Sequence, residues 1–197
     1  MNLLYFLSDK LRFIEQLYSR AVAPFITIKR QIEEGEPPYD IYPPDFNPED
    51  GEPAFTSEWI EADESQNVIG YACLGLVQSV LFEYLREYLQ EKCCSLPSGK
   101  GALLHRYKVF FMDHFGIDWE TGPVAFETLE DVALARNHIQ HETRITSKFA
   151  SQTADYRRRL PNSLFGGRFR EIRVTEGGLK AAIGAVEEFC SFLDQQS

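Results

Sequence analysis

Arg136, Asn137 and His141 bring a permanent cation, an amide and a group that titrates near neutrality into one short segment, Arg136-Asn137-His138-Ile139-Gln140-His141. A histidine can give or take a proton at physiological pH, and an arginine fork can clamp an oxyanion such as a phosphate. In a helix, at about 100° per residue, Asn137 and His141 lie within roughly 40° of each other, while Arg136 points about 140° away from His141. Arg136 instead falls on the apolar stripe of Phe126, Leu129, Val132, Ala133 and Ile139. A guanidinium there needs partners before it can be buried, and breaks in the amphipathic rule are enriched at functional sites. The plainer account is an arginine that snorkels to the helix edge and bonds carboxylates of a neighbouring helix.

Other constellations carry less. His138, His141 and Glu142 spell H-x-x-H-E, neither H-E-x-x-H nor H-x-x-E-H, and spacing suggests no further ligand, so no metal and no cofactor is expected. His105 and His114 read as exposed or core-edge histidines. Gly99-Lys100-Gly101 misses the spacing and the Ser or Thr of a P-loop, and no Ser-His-Asp or Cys-His arrangement is recognisable. Beyond the motif, Arg144, Lys148, Arg157, Arg158 and Arg159, with Tyr156 and Arg168-Phe169-Arg170, mix cations and rings in the way single-stranded RNA binding uses. More often, such a run is simply a solvated face.

The net charge of −10 argues against a protein that coats long nucleic acid, which needs a field of Lys and Arg. The acids crowd the first third, however, and the sign reverses after the motif, so a local anion site survives the global acidity. Cys73, Cys93, Cys94 and Cys190 show no C-x-x-C pair, and Met1 to Tyr5 runs into Asp9, Lys10 and Arg12 without a secretory h-region. Reduced thiols in a cytoplasmic protein are expected. The uncharged run Ser65 to Phe82 contains Gln66, Asn67, Gln78 and Ser79, and reads as a buried core helix rather than a membrane span.

The elements that must position the motif are helical. Leu3, Leu7, Leu11, Ile14, Tyr18, Val22 and Phe25 recur at helical spacing, with a kink or break expected at Pro24. Residues 33–55 form an acidic, proline-rich loop within one domain spanning 1–197. Thr56 and Ser57 offer N-cap chemistry for a second helix, Trp59 to about Gln90, with Val68, Ala72, Leu76, Leu81, Leu85 and Leu89 on its apolar positions and a Pro97-Ser98-Gly99 turn closing it. A third helix, Ala102 to Phe115, stops at Gly116. The motif helix runs from Phe126 to Thr143. A short strand, Phe169 to Val174, and a last helix, Leu179 to Leu193, complete an all-α, up-and-down bundle of about five helices.

Arg136, Asn137 and His141, late in a helix and followed by a short strand and a final helix, resemble the HEPN superfamily, whose motif is Arg, four to six residues, then His. The resemblance covers most of the chain and rests on six residues. It implies a metal-independent endoribonuclease acting as a homodimer, the two motif helices meeting across one cleft. His141 would be general acid or base, Arg136 would bind phosphate, and Asn137 would orient the imidazole or bond the phosphate. RNA or a nucleotide is then the ligand, and a toxin or defence role with an antitoxin protein as partner is implied. Thr143 stands where toxin members often carry a tyrosine, so modification of that tyrosine is not expected. The alternative within the family is a non-catalytic dimer module that binds a nucleotide or a protein partner.

Overall fold

The computed structural model describes residues 3–43, 46–47, 49, 51, 53–142, 164–165 and 173–196, with the backbone alone for 136–142. Among them, five α-helices form an all-α bundle: α1 (Leu3–Glu34), α2 (Thr56–Glu91), α3 (Leu103–Phe115), α4 (Phe126–Glu142) and α5 (Glu176–Gln195). A 3₁₀ turn at Trp119–Thr121 precedes α4.

Leu7, Leu11, Ile14, Tyr18 and Val22 recur every three or four residues and form the buried edge of α1. Of the kink or break expected at Pro24, the break does not occur: the helix continues to Glu34. Proline removes one N–H and crowds the preceding turn, which is a local cost. Contacts beyond Pro24 offset it: Lys29 pairs with Asp63 of α2, and its ammonium lies 4.2 Å from the centroid of the Trp59 ring. Lys10 pairs with Glu83 and Lys29 with Asp63, so α1 and α2 run antiparallel. In the connection between them, the Gln31 amide donates to the Pro37 carbonyl at 2.9 Å, and the Tyr39 and Phe55 rings meet at 5.0 Å.

The entry to α2 corrects the expected cap. Phe55 is the N-cap residue, in a left-handed conformation with no side-chain cap bond, and the Thr56 hydroxyl donates instead to the Pro53 carbonyl at 2.6 Å. At the other end the chain turns through Cys93 at φ 55°, with the Cys94 N–H reaching the Leu89 carbonyl, so α2 closes before the Pro97-Ser98-Gly99 turn. Cys73, Leu74, Val77, Leu81, Leu85 and Leu89 are buried, whereas Val68, Ala72 and Leu76 face outward. A helix apolar over much of its circumference has no dominant stripe, and its packing phase comes from its neighbours. α2 is long and apolar enough to cross a membrane by length and composition, yet half of that window is buried inside the bundle against its partner helices.

α3 ends as its sequence indicates, at Gly116 with φ 66°. Its Phe111 packs on Tyr88 of α2 at 5.2 Å and on Trp119 at 5.4 Å. Trp119 in turn lies 4.6 Å from Phe189 of α5. α5 starts one turn earlier than its apolar pattern, because the Thr175 side chain caps it by accepting from the Gly178 N–H at 3.0 Å. It runs parallel to α2, with Val174 beside Gly70 and the Tyr84 hydroxyl donating to the Cys190 carbonyl at 3.0 Å.

The short strand expected before this helix is not found among the described residues. Phe169 to Ile172 lie outside them, and Arg173 and Val174 are irregular. Their polar bonds go elsewhere: the Arg173 N–H to the Phe165 carbonyl at 2.8 Å, and the Arg173 guanidinium to Asp63. Asp63 thereby holds two cations, Lys29 and Arg173, and ties the approach of α5 to the α1–α2 pair.

Candidate functional site

α4 starts with Glu127 in its first turn, the charge sign that suits a helix N-terminus. Leu129, Val132 and Ala135 are buried almost completely, and Asp131 is buried as well. The covered arc is wider than the apolar stripe alone indicates because α2 and α5 both pack on α4. Gln78, a buried amide of α2, donates to the Ala133 carbonyl at 3.3 Å and fixes the two helices against each other.

The helix runs without interruption to Glu142, so Arg136, Asn137 and His141 occupy one continuous helix. Arg136 follows Ala133, Val132 and Leu129 by three, four and seven residues and so continues the buried row by register. Asn137 and His141 belong to a different row. Glu130, Leu134, Asn137 and His141 stand at i, i+4, i+7 and i+11, within roughly 60° of one another at about 100° per residue.

The first two members of that row line a groove of about 700 Å³ between α2, α3 and α4. The α2 wall supplies Gln78, Ser79, Phe82, Glu83 and Arg86. α3 supplies Leu103, Leu104, His105 and Tyr107, and α4 adds Glu130, Ala133 and Leu134. Phe82 and Tyr107 form an aromatic side, their rings 6.1 Å apart and tilted by 30°. Burial pushes the Tyr107 phenol up from its ordinary value, against the pull of the Arg86 and Arg106 guanidinium groups. Glu83 is paired with Lys10, and Arg86 donates to Glu87 at 3.2 Å. The groove joins an apolar and aromatic floor to amide, hydroxyl, imidazole and carboxylate groups. That mixture suits a flat, heteroatom-bearing ligand.

By helical rise, Asn137 lies about 6 Å beyond Ala133, and His141 about 10 Å beyond Leu134. By backbone register the His141 position therefore lies on the same face of α4 as Glu130 and Leu134, displaced toward its C-terminal end. Arg144, Lys148, Arg157, Arg158 and Arg159, expected from sequence to contact RNA, lie outside the described residues, as do Tyr156, Arg168 and Phe169. Among the described residues no three His, Cys, Asp or Glu side chains converge as a metal site. His114 is exposed, its ring stacked on Phe110 at 3.9 Å.

Sequence reasoning did not assemble this groove. Gln78 and Ser79 were legible as polar residues within an uncharged helix, and His105 as an exposed or core-edge histidine. Only the packing of three helices brings them to one surface. No family model, no curated protein and no solved structure matches the chain.

Proposed function

We propose that the chain is a metal-independent endoribonuclease of the HEPN type, acting as a homodimer in the cytoplasm. The observation that supports this reading most is the uninterrupted course of α4 through Arg136, Asn137 and His141. Helical register keeps Asn137 and His141 one turn apart on the groove side, while Arg136 continues the buried row. One helix supplies half a cleft; a second copy supplies the other half.

In that cleft His141 takes the proton from a ribose 2′-hydroxyl, whose oxygen attacks the adjacent phosphorus. The bond from phosphorus to the 5′-oxygen breaks, and the partner's His141 returns a proton to the leaving oxygen. The products are a 2′,3′-cyclic phosphate and a 5′-hydroxyl end. Arg136 neutralises the charge that develops on the phosphoryl oxygens, and Asn137 orients the imidazole. Arg144, Lys148 and Arg157 to Arg159 guide the RNA. In a toxin or defence system, an antitoxin protein would restrain this activity.

Purified protein should cleave single-stranded RNA in the presence of EDTA, and His141→Ala should abolish the cleavage. If wild type and His141→Ala leave the RNA equally intact, while both are folded and dimeric, the chain is a binding module and catalysis is the wrong reading.

A further inference from the structure

We infer that the outward face of α2 is the seam of the homodimer, packed antiparallel against the same face of a second copy about a two-fold axis at Ala72. The inference rests on the reading of the chain as a homodimer and deepens it by naming the surface and the register. On that face Val68 is 63% exposed and Leu76 42% exposed. The Lys10–Glu83 and Lys29–Asp63 pairs set α1 beside α2 so that Leu17, also exposed, stands level with Leu76. Apolar side chains grouped outward in this way mark a contact surface, whereas single ones do not.

The order of charge along the face selects its occupant. Glu58, Ser65, Ala72, Ser79 and Arg86 recur every seven residues, the period that keeps one line of a helix against a partner helix. Glu58, Ala72, Ser79 and Arg86 are exposed, and Ser65 is half-buried. Antiparallel pairing about Ala72 sets Glu58 against the partner's Arg86, Ser65 against the partner's Ser79, and Val68 against the partner's Leu76. Parallel pairing would set each charge against its own copy. Among the described residues Glu58 has no basic partner, and Arg86 donates to its chain neighbour Glu87 at 3.2 Å, which leaves most of its five donors open. Glu58, Glu61 and Glu64 crowd one end of the helix, a charge that opposes an anionic lipid surface.

The course of α4 supports the same axis. Phe126 at its start joins Trp119, which reaches Phe111 and through it Tyr88 of α2, while Ala133 is bonded to Gln78. α4 therefore runs antiparallel to α2. At equal rise per residue, its Asn137 position lies level with Leu74 and its His141 position level with Gly70. Ala72 lies between the two. A two-fold axis across antiparallel helices keeps both copies of α4 on one side of the seam, so the two motif segments stand there at one height.

Disulfide trapping tests the register on the full chain, with the thiols outside the core removed by Cys93→Ser and Cys94→Ser; Cys73 and Cys190 are buried. In that background, Ala72→Cys oxidised with diamide should give a covalent dimer. Val68→Cys and Leu76→Cys should each stay unlinked alone and link when mixed. Glu58→Arg and Arg86→Glu should each weaken dimerisation about ten-fold by sedimentation equilibrium, since each creates two like-charge contacts, and the double variant should recover the wild-type affinity. Circular dichroism melts should match wild type, because both positions are exposed. A dimer that stays unlinked through Ala72→Cys, self-linking of Val68→Cys, or a double variant no tighter than the single ones overturns the inference. So does a monomeric wild type, including one that floats with phosphatidylcholine vesicles. The failures are separable. RNA cleavage by a dimer that Ala72→Cys does not link removes only the α2 seam, and a linked dimer that never cleaves removes only the ribonuclease reading.

Discussion

Gln78 and Ala133 are joined by a 3.3 Å hydrogen bond from the Gln78 amide to the Ala133 carbonyl, which ties the core helix to the motif helix one turn before Asn137. Gln78→Met keeps the length and apolar volume but loses the bond. It should cost about 0.5–1.5 kcal/mol, the net value of one such bond, read from urea unfolding. Gln78→Ala should cost more, because it also leaves space between α2 and α4. A Met variant as stable as wild type would show that apolar packing alone holds these two helices together.

Gly70 is required by a close crossing. A Cβ built there would lie 2.7 Å from the Val174 Cβ, closer than real Cβ atoms come, and 3.0 Å from the Val174 carbonyl oxygen, tighter than most such contacts. Gly70→Ala should destabilise the protein by about 1–3 kcal/mol through forced separation of α2 from the start of α5. Gly184, inside α5, has nothing within 4 Å of its own Cβ position. Gly184→Ala should therefore stabilise by about 0.5–1 kcal/mol, the helix-interior difference between the two residues. Opposite shifts in the denaturation midpoint are the check.

Asp63 holds Lys29 on one oxygen and Arg173 on the other, and its side chain is only 17% exposed. Asp63→Asn leaves two cations facing each other across a neutral amide. The loss should be about 1–3 kcal/mol, below that of a fully buried pair because the Arg173 side chain is 43% exposed. Salt should narrow the gap between variant and wild type, since added ions screen the released repulsion.

Alkaline conditions should weaken the fold, and the sign follows from burial. Burial raises the phenols of Tyr18, Tyr84 and Tyr107 above their ordinary 10.0, and the thiols of Cys73 and Cys190 above their ordinary 9.0. The unfolded chain releases these protons first, so the stability they contribute is complete below about pH 9 and is lost as pH rises. Lys29 acts the other way. Burial, and then the charge of Arg173, lower it from its ordinary 10.5, so stability rises with pH just below that value. Five groups oppose one, and urea midpoints should fall between about pH 9 and pH 11. Tyr84→Phe, although less stable at neutrality through loss of the Cys190 carbonyl bond, should show a shallower fall.

What the sequence conveyed depended on whether one neighbour or several decided the outcome. α1 has a single dry edge, and Leu7 to Val22 spell it out residue by residue. Gly116 closes α3 because a left-handed residue is needed there, and glycine supplies it at little cost. The phase of α2 was not legible, since Val68 and Leu76 are as apolar as Leu74 and Val77, and only the packing of α1, α4 and α5 separates outside from inside. At Pro24 the sequence left a kink or a break open, because the local cost of a helical proline is visible in sequence, while the Lys29 contacts that carry the helix on to Glu34 join residues far apart in the chain. At the site, the register of Arg136, Asn137 and His141 followed from helical geometry, but the groove needed three helices to exist.

The chain's two tryptophans report on different ends of the bundle. Trp119 is 1% exposed among Phe111, Phe126 and Phe189, while Trp59 lies half-buried beneath the Lys29 ammonium. Along α2, Trp59 is separated from Tyr88, the residue that reaches Phe111, by roughly 44 Å of helix at about 1.5 Å per residue. Emission from Trp119 should be blue-shifted and shielded from iodide, and emission from Trp59 should be redder and quenchable. The protein thus carries an optical read-out that distinguishes opening of the floor beneath α4 from fraying near the α1–α2 connection, with no added label.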